Sequence, residues 1–550
     1  MIINKHLLII IFLGFLIYSN TLKNPYLWDD KYFVEKNNFI KSFKNSLVFF
    51  SPTKYFKYTY DQTYRPLPFL VHMANYKIWN INSVGHRITN IILHIANAVL
   101  IYLLVFYILK NNFVAFLSAL LFVVHPVNTE VVNMVSFVET QLSTLFFMFS
   151  LFFYIKKTHI SYLISPICFF LAVFCKETAV TLPAVLILYD LIFDKSQNRK
   201  SFSTICHSSF VIRYFFIIAV FYLVVRFLIF RHPTEAAIKY PGDSFITNIF
   251  VMLKAIPVYL SVVFLPFNLS VEYNIEIPAT LFQAPVIFGF LSVIVFVAIL
   301  IYTYKNSKNL FFWLMWIPIT FLPTSNIIPM QNIVAERYLY LPLIGVCVLL
   351  AVLLDKIGRR QLIAVYGLAG CIIVLLATMT VVRNLDWKDD WTFYSKTLKQ
   401  NPESPSANLS MGAIYAHKKD FKNAIELISF SLQLDPDNIN AKWALASTFY
   451  KAGEYDKSAE LFKEMAQENQ FQYGKTPFIY LGLIYKIKKD YNKAIENFNK
   501  ELVVNPLSVS AYFHLAEIYK AQGGNRNVEK AIEYYQKSIE LNPNYEKAKK

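Results

Sequence analysis

The sequence predicts an all-α protein in two parts: a polytopic transmembrane helical bundle followed by an α-solenoid of paired helices. Three observations lead there. Before Arg383, apolar runs of 15–25 residues follow one another with short interruptions, the length that spans a hydrocarbon core. After it the chain turns polar, charged and helix-periodic. Within that second part, one five-residue pattern recurs at intervals of 34, 36 and 34 residues. The expected domains are therefore a membrane part over 1–385 and a repeat part over 386–550, with about four repeats across 402–550.

Charge separates the two parts. Of the formal +17, the segment from Asp386 onward carries 23 Lys+Arg against 21 Asp+Glu, net +2, which leaves +15 for the membrane part. Most of that excess falls in short loops, a signature of topology and anionic-lipid contact, not of nucleic-acid binding. The cysteines (Cys168, Cys175, Cys206, Cys347 and Cys371) all precede Arg383 and have no C-x-x-C spacing. Neither a disulfide framework nor a zinc site is indicated. The run Leu7–Leu22 lacks small residues where a cleavable leader would have them, so it reads as an uncleaved first helix.

Further spans are expected near 86–109, 113–124, 131–155, 160–174, 178–193, 211–230, 285–304, 310–323, 337–354 and 361–382. Basic residues collect at Lys110; Lys156 and Lys157; Lys195, Arg199, Lys200 and Arg213; Lys305 and Lys308; and Lys356, Arg359 and Arg360. These loops should be cytoplasmic. They alternate only if the loop from Asn20 to Tyr64 faces outward, with the N-terminus inside and the repeats outside. Phe245–Phe267 is apolar enough to span, yet the charge rule puts both its ends outside. Interrupted by Lys254 and Pro257, it reads as a re-entrant or interfacial helix pair, leaving about eleven full spans.

The outward edge then gathers Asp29, Asp30, Arg65, His125, Glu130, Lys176, Glu177, Glu272, Glu336 and Arg337, beside Trp28, Tyr64, Tyr338 and Tyr340. A charge at a helix centre in the bilayer costs roughly 2.5–3.5 kcal/mol, so ionisable groups stay at the water boundary. Acids, bases and cations meeting there suit an amphiphilic substrate, with its tail between helices and its phosphate at the boundary. The plain alternative is that such charges only snorkel or anchor helix ends. The adjacent carboxylates Asp29 and Asp30 are the best general-base candidates.

In the second part, Met411-Gly-Ala-Ile-Tyr415, Leu445-Ala-Ser-Thr-Phe449, Leu481-Gly-Leu-Ile-Tyr485 and Leu515-Ala-Glu-Ile-Tyr519 mark successive first helices. The second helices show Ala424, Ser458, Ala494 and Ala531, with Phe421, Tyr455 or Tyr491 three residues earlier in three of them. Pro436, Pro506 and Pro543 close three units. This is the tetratricopeptide pattern, in which small residues let helices approach and aromatics fill the gap. Gly523–Asn527 is expected to lengthen one interhelical turn. Such arrays bind extended peptides in a concave groove. The short junction Arg383–Trp391 predicts an array held near the outer mouth of the bundle.

Taken in order, these motifs resemble the transmembrane and tetratricopeptide repeat family of protein O-mannosyltransferases, within the fold-C glycosyltransferases. Trp28-Asp29-Asp30 with Asn37 resembles the family's acidic first-loop motif. Tyr64-Arg65-Pro66-Leu67, then His86, Asn90, Leu93-His94 and Asn97, match the stretch through the second span. His125-Pro126-Val127 with Glu130, Lys176-Glu177-Thr178 with Tyr189-Asp190, and Ala335–Tyr340 with Pro342 and Gly345 match later turns. The chain departs from the family at Val138 and Thr140, with Glu139 nearby, where an arginine–acid pair is expected. It also has Asn128 for a second histidine and Glu272 for an aspartate.

The resemblance implies an inverting transfer of a mannose-like sugar from a polyprenyl- or dolichyl-phosphate carrier to a hydroxyl of a protein captured by the repeats. Asp29 or Asp30 would take the acceptor proton. Arg65 and Arg337, supported by Lys176 and with Tyr338 beside them, would hold donor phosphate and sugar. Glu336 or Glu177 would position these cations, and His94, His125 and Glu130 would lend support. No metal or other cofactor is required, although the acid clusters could recruit a divalent ion. Two rivals remain: a non-catalytic membrane-anchored scaffold for envelope proteins, and a lipid transporter. The Asn-, Lys- and Ile-rich composition points to a bacterial plasma membrane with the repeats outside. In a eukaryote the same topology puts them in the endoplasmic reticulum lumen.

Overall fold

The computed structural model describes residues 5–59, 61, 63–193, 202–231, 238–278, 280, 282–358, 362–468 and 476–542. Lys195, Arg199, Lys200, Arg359, Arg360 and Pro543, to which the sequence assigns topological or helix-ending roles, lie outside them, as does the side chain of Cys206. Every regular element among the described residues is helical. The chain divides into two compact units, Met1–Phe393 and Tyr394–Lys550.

In the first unit, sharp hairpins follow from local chemistry. Helix Ser83–Leu109 starts on the Asn82 side chain and stops at Lys110 in the left-handed region (φ 54°). Asn111 then caps helix Asn112–Val124. Thr158 and Ser161 form a reciprocal capping box that restarts the chain after Lys157. One end of the bundle is marked by the stacked rings of His6 and Phe116, 4.4 Å apart. At the other end, Asn384 donates to Ile17 O, Asn133 donates to Asn384, and Thr380 donates to Val124 O, each at 2.6–2.8 Å. Buried polar side chains in the apolar helices bond across the bundle, as an interior without water requires. Examples are Ser150 to Ser165 and Asn97 to Gln141 O.

Among the described residues, six helices are long and apolar enough to cross a membrane: Ser83–Leu109, Val135–Lys156, Val211–Ile229, Phe245–Phe264, Ala284–Asn306 and Ile363–Trp387. A seventh arises if Asn112–Val124 and Pro126–Asn133, bent by 51°, form one broken span. Length and composition alone therefore support fewer spans than the eleven expected. Among the described residues, Lys5–Tyr18 passes into a 3₁₀ turn at Ser19–Thr21 and Lys308–Phe321 into one at Leu322–Thr324.

The helix pair expected at 245–267 is instead one helix, Phe245–Phe264, running through Pro257. Lys254 does not break it, because its ammonium reaches Glu276, 3.1 Å from the carbonyl and 3.5 Å from the carboxylate. Near its start Asn248 donates to Asn326 O, and near its end Val263 O meets His125 Nε2, both at 3.0 Å. Asn326 follows the turn Leu322–Thr324, which packs on Glu177–Thr181, and His125 ends helix Asn112–Val124. Both ends thus meet the same end of the bundle, although the helix is long enough to cross.

In the second unit, four helix pairs run from Pro405–His417 with Phe421–Leu434 to Val509–Gln522 with Asn525–Leu541. Glycine permits the close approach. A Cβ on Gly482 would stand 2.5 Å from the Phe498 ring, and one on Gly412 would stand 2.5 Å from Ile428. Trp443, Phe462 and Tyr480 pack together between the second and third pairs, with Phe462 and Tyr480 stacked at 4.8 Å. The insert expected to lengthen a turn contributes only Gly523 and Gly524 (φ 67° and 86°) to it. Asn525–Asn527 already belong to the last helix, which is longer than its counterparts.

Candidate functional site

The first loop is tied down from beneath. Arg87, fully buried, donates to the carbonyls of Asn24, Pro25 and Asn133. Trp28 then adopts a left-handed backbone (φ 44°), which is uncommon for a bulky residue and turns the chain sharply at the two aspartates. A π-turn, Lys31–Glu35, follows.

The two aspartates take different environments. Asp30 is fully buried, and its Oδ1 accepts from Ser136 N–H at 2.7 Å. This ties the loop to the turn at Val135–Phe137, while Asp30 Oδ2 has no hydrogen-bond partner among the described residues. Asp29 is half-buried, and its side chain makes no hydrogen bond or ion pair with the described residues. Burial pushes its carboxyl up to about 7; Arg337 opposes the shift, while Asp30, Glu139 and Asp61 add to it.

Three cation–carboxylate groups stand at this end of the bundle, of which Arg337 and Glu139 act electrostatically on Asp29. Arg337 Nη1 meets Glu130 Oε1 at 2.6 Å, its backbone N–H donates to Oε2 at 2.8 Å, and its guanidinium lies 5.1 Å from the Phe137 ring centroid. Arg65 forks onto Glu177 at 2.7 and 3.0 Å, and Arg226 reaches the same carboxylate at 3.5 Å. These guanidiniums hold Glu177 well below the usual carboxylate range, against the opposing effect of burial. Lys176 Nζ donates to Thr140 Oγ1 at 2.6 Å and lies 3.4 Å from Glu139. Burial lowers the Lys176 ammonium from its ordinary value. Tyr338 donates to Asn332 O at 3.1 Å and interacts electrostatically with both arginine pairs.

Other sequence-predicted residues stand elsewhere. Glu336 accepts from Tyr273 at 2.9 Å and pairs with Arg383 at 3.3 Å, so it does not neutralise Arg65 or Arg337. Glu130 serves Arg337 instead. His94 lies inside the bundle, its ring nitrogens 2.8 Å from the Tyr340 hydroxyl and 3.3 Å from Val123 O. His125 has both nitrogens engaged, by Val127 N–H and Val263 O, and so joins the end of helix Phe245–Phe264 to the bundle. Both histidines thus bond within the fold, and the His94 ring also packs against Tyr18 and Phe122.

Sequence reading missed Arg226 and Asp61. Asp61 accepts from Thr63 N–H at 3.0 Å, and burial raises its carboxyl to about 6 against the pull of Arg65. Arg226 had one available signal: an arginine at the helix end that the loop-charge rule leaves outward. The departures at Glu139 and Thr140 prove to be the partners of Lys176.

Models described as tetratricopeptide repeat match residues 415–474 and 509–545. "Protein O-mannosyl-transferase TMTC3" of Mus musculus is 23% identical over 529 residues, covering 88% of this chain and 54% of that protein. "Protein O-mannosyl-transferase F38B6.6" of Caenorhabditis elegans is 25% identical over 451 residues, covering 78% of this chain and 63% of that protein. The chain spans about half the length of the mammalian relatives it matches. A crystal structure of MamA, 25% identical, covers 28% of this chain and 88% of its own, with a TM-score of 0.25.

Proposed function

We propose that this chain, a homologue over most of its length of the protein O-mannosyl-transferases that carry tetratricopeptide repeats, moves a mannose-like sugar from a polyprenyl-phosphate carrier to a hydroxyl of a protein. One observation carries the reading. Asp29 is a half-buried carboxyl pushed up to about 7, within the field of Arg337. A base titrating near neutral pH combines the correct protonation state with useful proton affinity. Asp29 takes the proton of the acceptor hydroxyl as its oxygen attacks the anomeric carbon. The bond to the carrier phosphate breaks on the opposite face, so configuration inverts. The phosphate leaves with both bonding electrons, and fixed guanidiniums stabilise the charge that develops on it. The repeat unit supplies the acceptor, since arrays of this kind hold extended polypeptide.

The test is transfer of labelled mannose from a polyprenyl-phosphate donor to protein by the full-length chain in proteoliposomes. Asp29→Asn should lose about 100-fold or more in rate, the usual worth of a positioned general base. Undiminished transfer by that variant overturns the assignment.

A further inference from the structure

The flanks of the aspartate pair are held by the first turn of helix Asp390–Gln400, which follows Leu362–Arg383 after the 3₁₀ turn Asn384–Trp387. That first turn is fixed locally. Asp389 accepts from Thr392 N–H at 2.8 Å through its side chain and from Phe393 N–H at 3.0 Å through its carbonyl. Phe393 is buried, 5.1 Å from the ring of the fully buried Trp387. Asp390 and Phe393 both belong to the first compact unit.

Two residues three apart on this helix, and so on one face of it, meet two residues three apart in the first loop. Phe393 packs on Trp28, with ring centroids 5.9 Å apart at 42°. Asp390 accepts from the Lys31 ammonium. Trp28 precedes the aspartates and Lys31 follows them, so one helical turn clasps both shoulders of Asp29-Asp30. Trp28 also meets the Phe137 ring at 6.4 Å, and Phe137 carries the Arg337 guanidinium at 5.1 Å. The left-handed backbone of Trp28 (φ 44°) is a conformation that persists only where its surroundings enforce it. The clasp supplies that constraint one residue before Asp29.

We propose that Asp390 and Phe393 are positioning residues for the transfer, which, by clasping Lys31 and Trp28, hold Asp29 where it meets the acceptor hydroxyl. This inference rests on Asp29 as the base of the reaction proposed above. It gives the segment after helix Leu362–Arg383 a part in the site. A misplacement of about 1 Å there can cost about 100-fold in rate.

The test uses full-length chain in proteoliposomes, with labelled mannose on a polyprenyl-phosphate donor. Phe393→Ala should lower kcat about tenfold or more. Its KM for the donor should stay within about twofold, since the donor contacts are untouched. Asp390→Asn should act in the same direction by less. The reversed pair, Lys31→Glu with Asp390→Lys, should restore most of the rate, and serves if Phe393→Ala does not fold. The pH–rate profile separates positioning from plain loss of folded protein. Burial is the largest cause of the raised Asp29 carboxyl; Asp30, Glu139 and Asp61 reinforce it and Arg337 opposes it. A loosened loop admits water, so the acid limb of Phe393→Ala should move below about 7. Unfolding alone would lower the amplitude and leave the limb in place. Unchanged transfer in Phe393→Ala and Asp390→Asn, or a lowered kcat with an unmoved limb, overturns this inference and leaves Asp29 as the base. Undiminished transfer by Asp29→Asn removes the base and this inference together.

Discussion

Glu130 holds Arg337 twice, through the guanidinium at 2.6 Å and the backbone N–H at 2.8 Å, across 207 residues of sequence. The double grip fixes the one cation that most strongly opposes the rise in the Asp29 carboxyl. Arg337 thereby sets where the proposed base titrates.

The pH–rate profile should show it. Asp29 must be ionised to accept a proton, so transfer should rise with pH through about 7. In Arg337→Gln the opposing charge is gone and the carboxyl climbs further, so the acid limb should move to higher pH. A limb that stays in place in the variant refutes the coupling.

Stability should carry the opposite signature. Burial raises Asp29 above its unfolded value, so the protonated form contributes stability that is complete below about pH 4 and is lost as pH rises through about 7. Asparagine cannot ionise. Thermal unfolding of Asp29→Asn in nanodiscs should therefore match the wild type at pH 4 and exceed it at pH 8.

Asp30 should behave as a brace. Asp30→Ala leaves the Ser136 N–H without its acceptor inside the protein, a loss of about 1–3 kcal/mol. The expected outcome is lower thermal stability, with the acid limb of any remaining transfer moved to lower pH, because Asp30 adds to the rise in the Asp29 carboxyl. Abolished transfer with unchanged stability would reverse the division between the two aspartates.

In the repeats, Gly482→Val forces its side chain into the Phe498 ring, where even a Cβ would stand 2.5 Å away. Overpacking of this kind costs about 1–3 kcal/mol. Hydrogen exchange of the full chain should report faster opening in Pro477–Ile487 and Tyr491–Val504, with the bundle unaffected.

Much of the candidate site was legible as motifs. Trp28-Asp29-Asp30, Arg65, Lys176-Glu177 and Glu336-Arg337 all stand in turns at one end of the bundle. Partner choice was not legible. Glu336 neighbours Arg337 in sequence but pairs with Arg383, because the turn Glu336–Leu339 sends the two side chains in different directions. Arg226 belongs to no motif, and only tertiary packing brings it to Glu177. Histidines matched to family motifs became ties within the fold.

The sequence by itself determined the helical class, the apolar character of the bundle and the register of the repeats. These follow from hydrophobic periodicity and small-residue spacing, which average over neighbouring residues. Only the tertiary structure decided that Asp29 stands half-buried within reach of Arg337 while Asp30 is fully buried and bonded to Ser136 N–H. It also decided that 245–264 is one helix with both ends at the same end of the bundle. A carboxylate's environment depends on groups that lie 100 or more residues away in the chain, such as Arg65 and Glu177 at a separation of 112, and local pattern does not encode those distances.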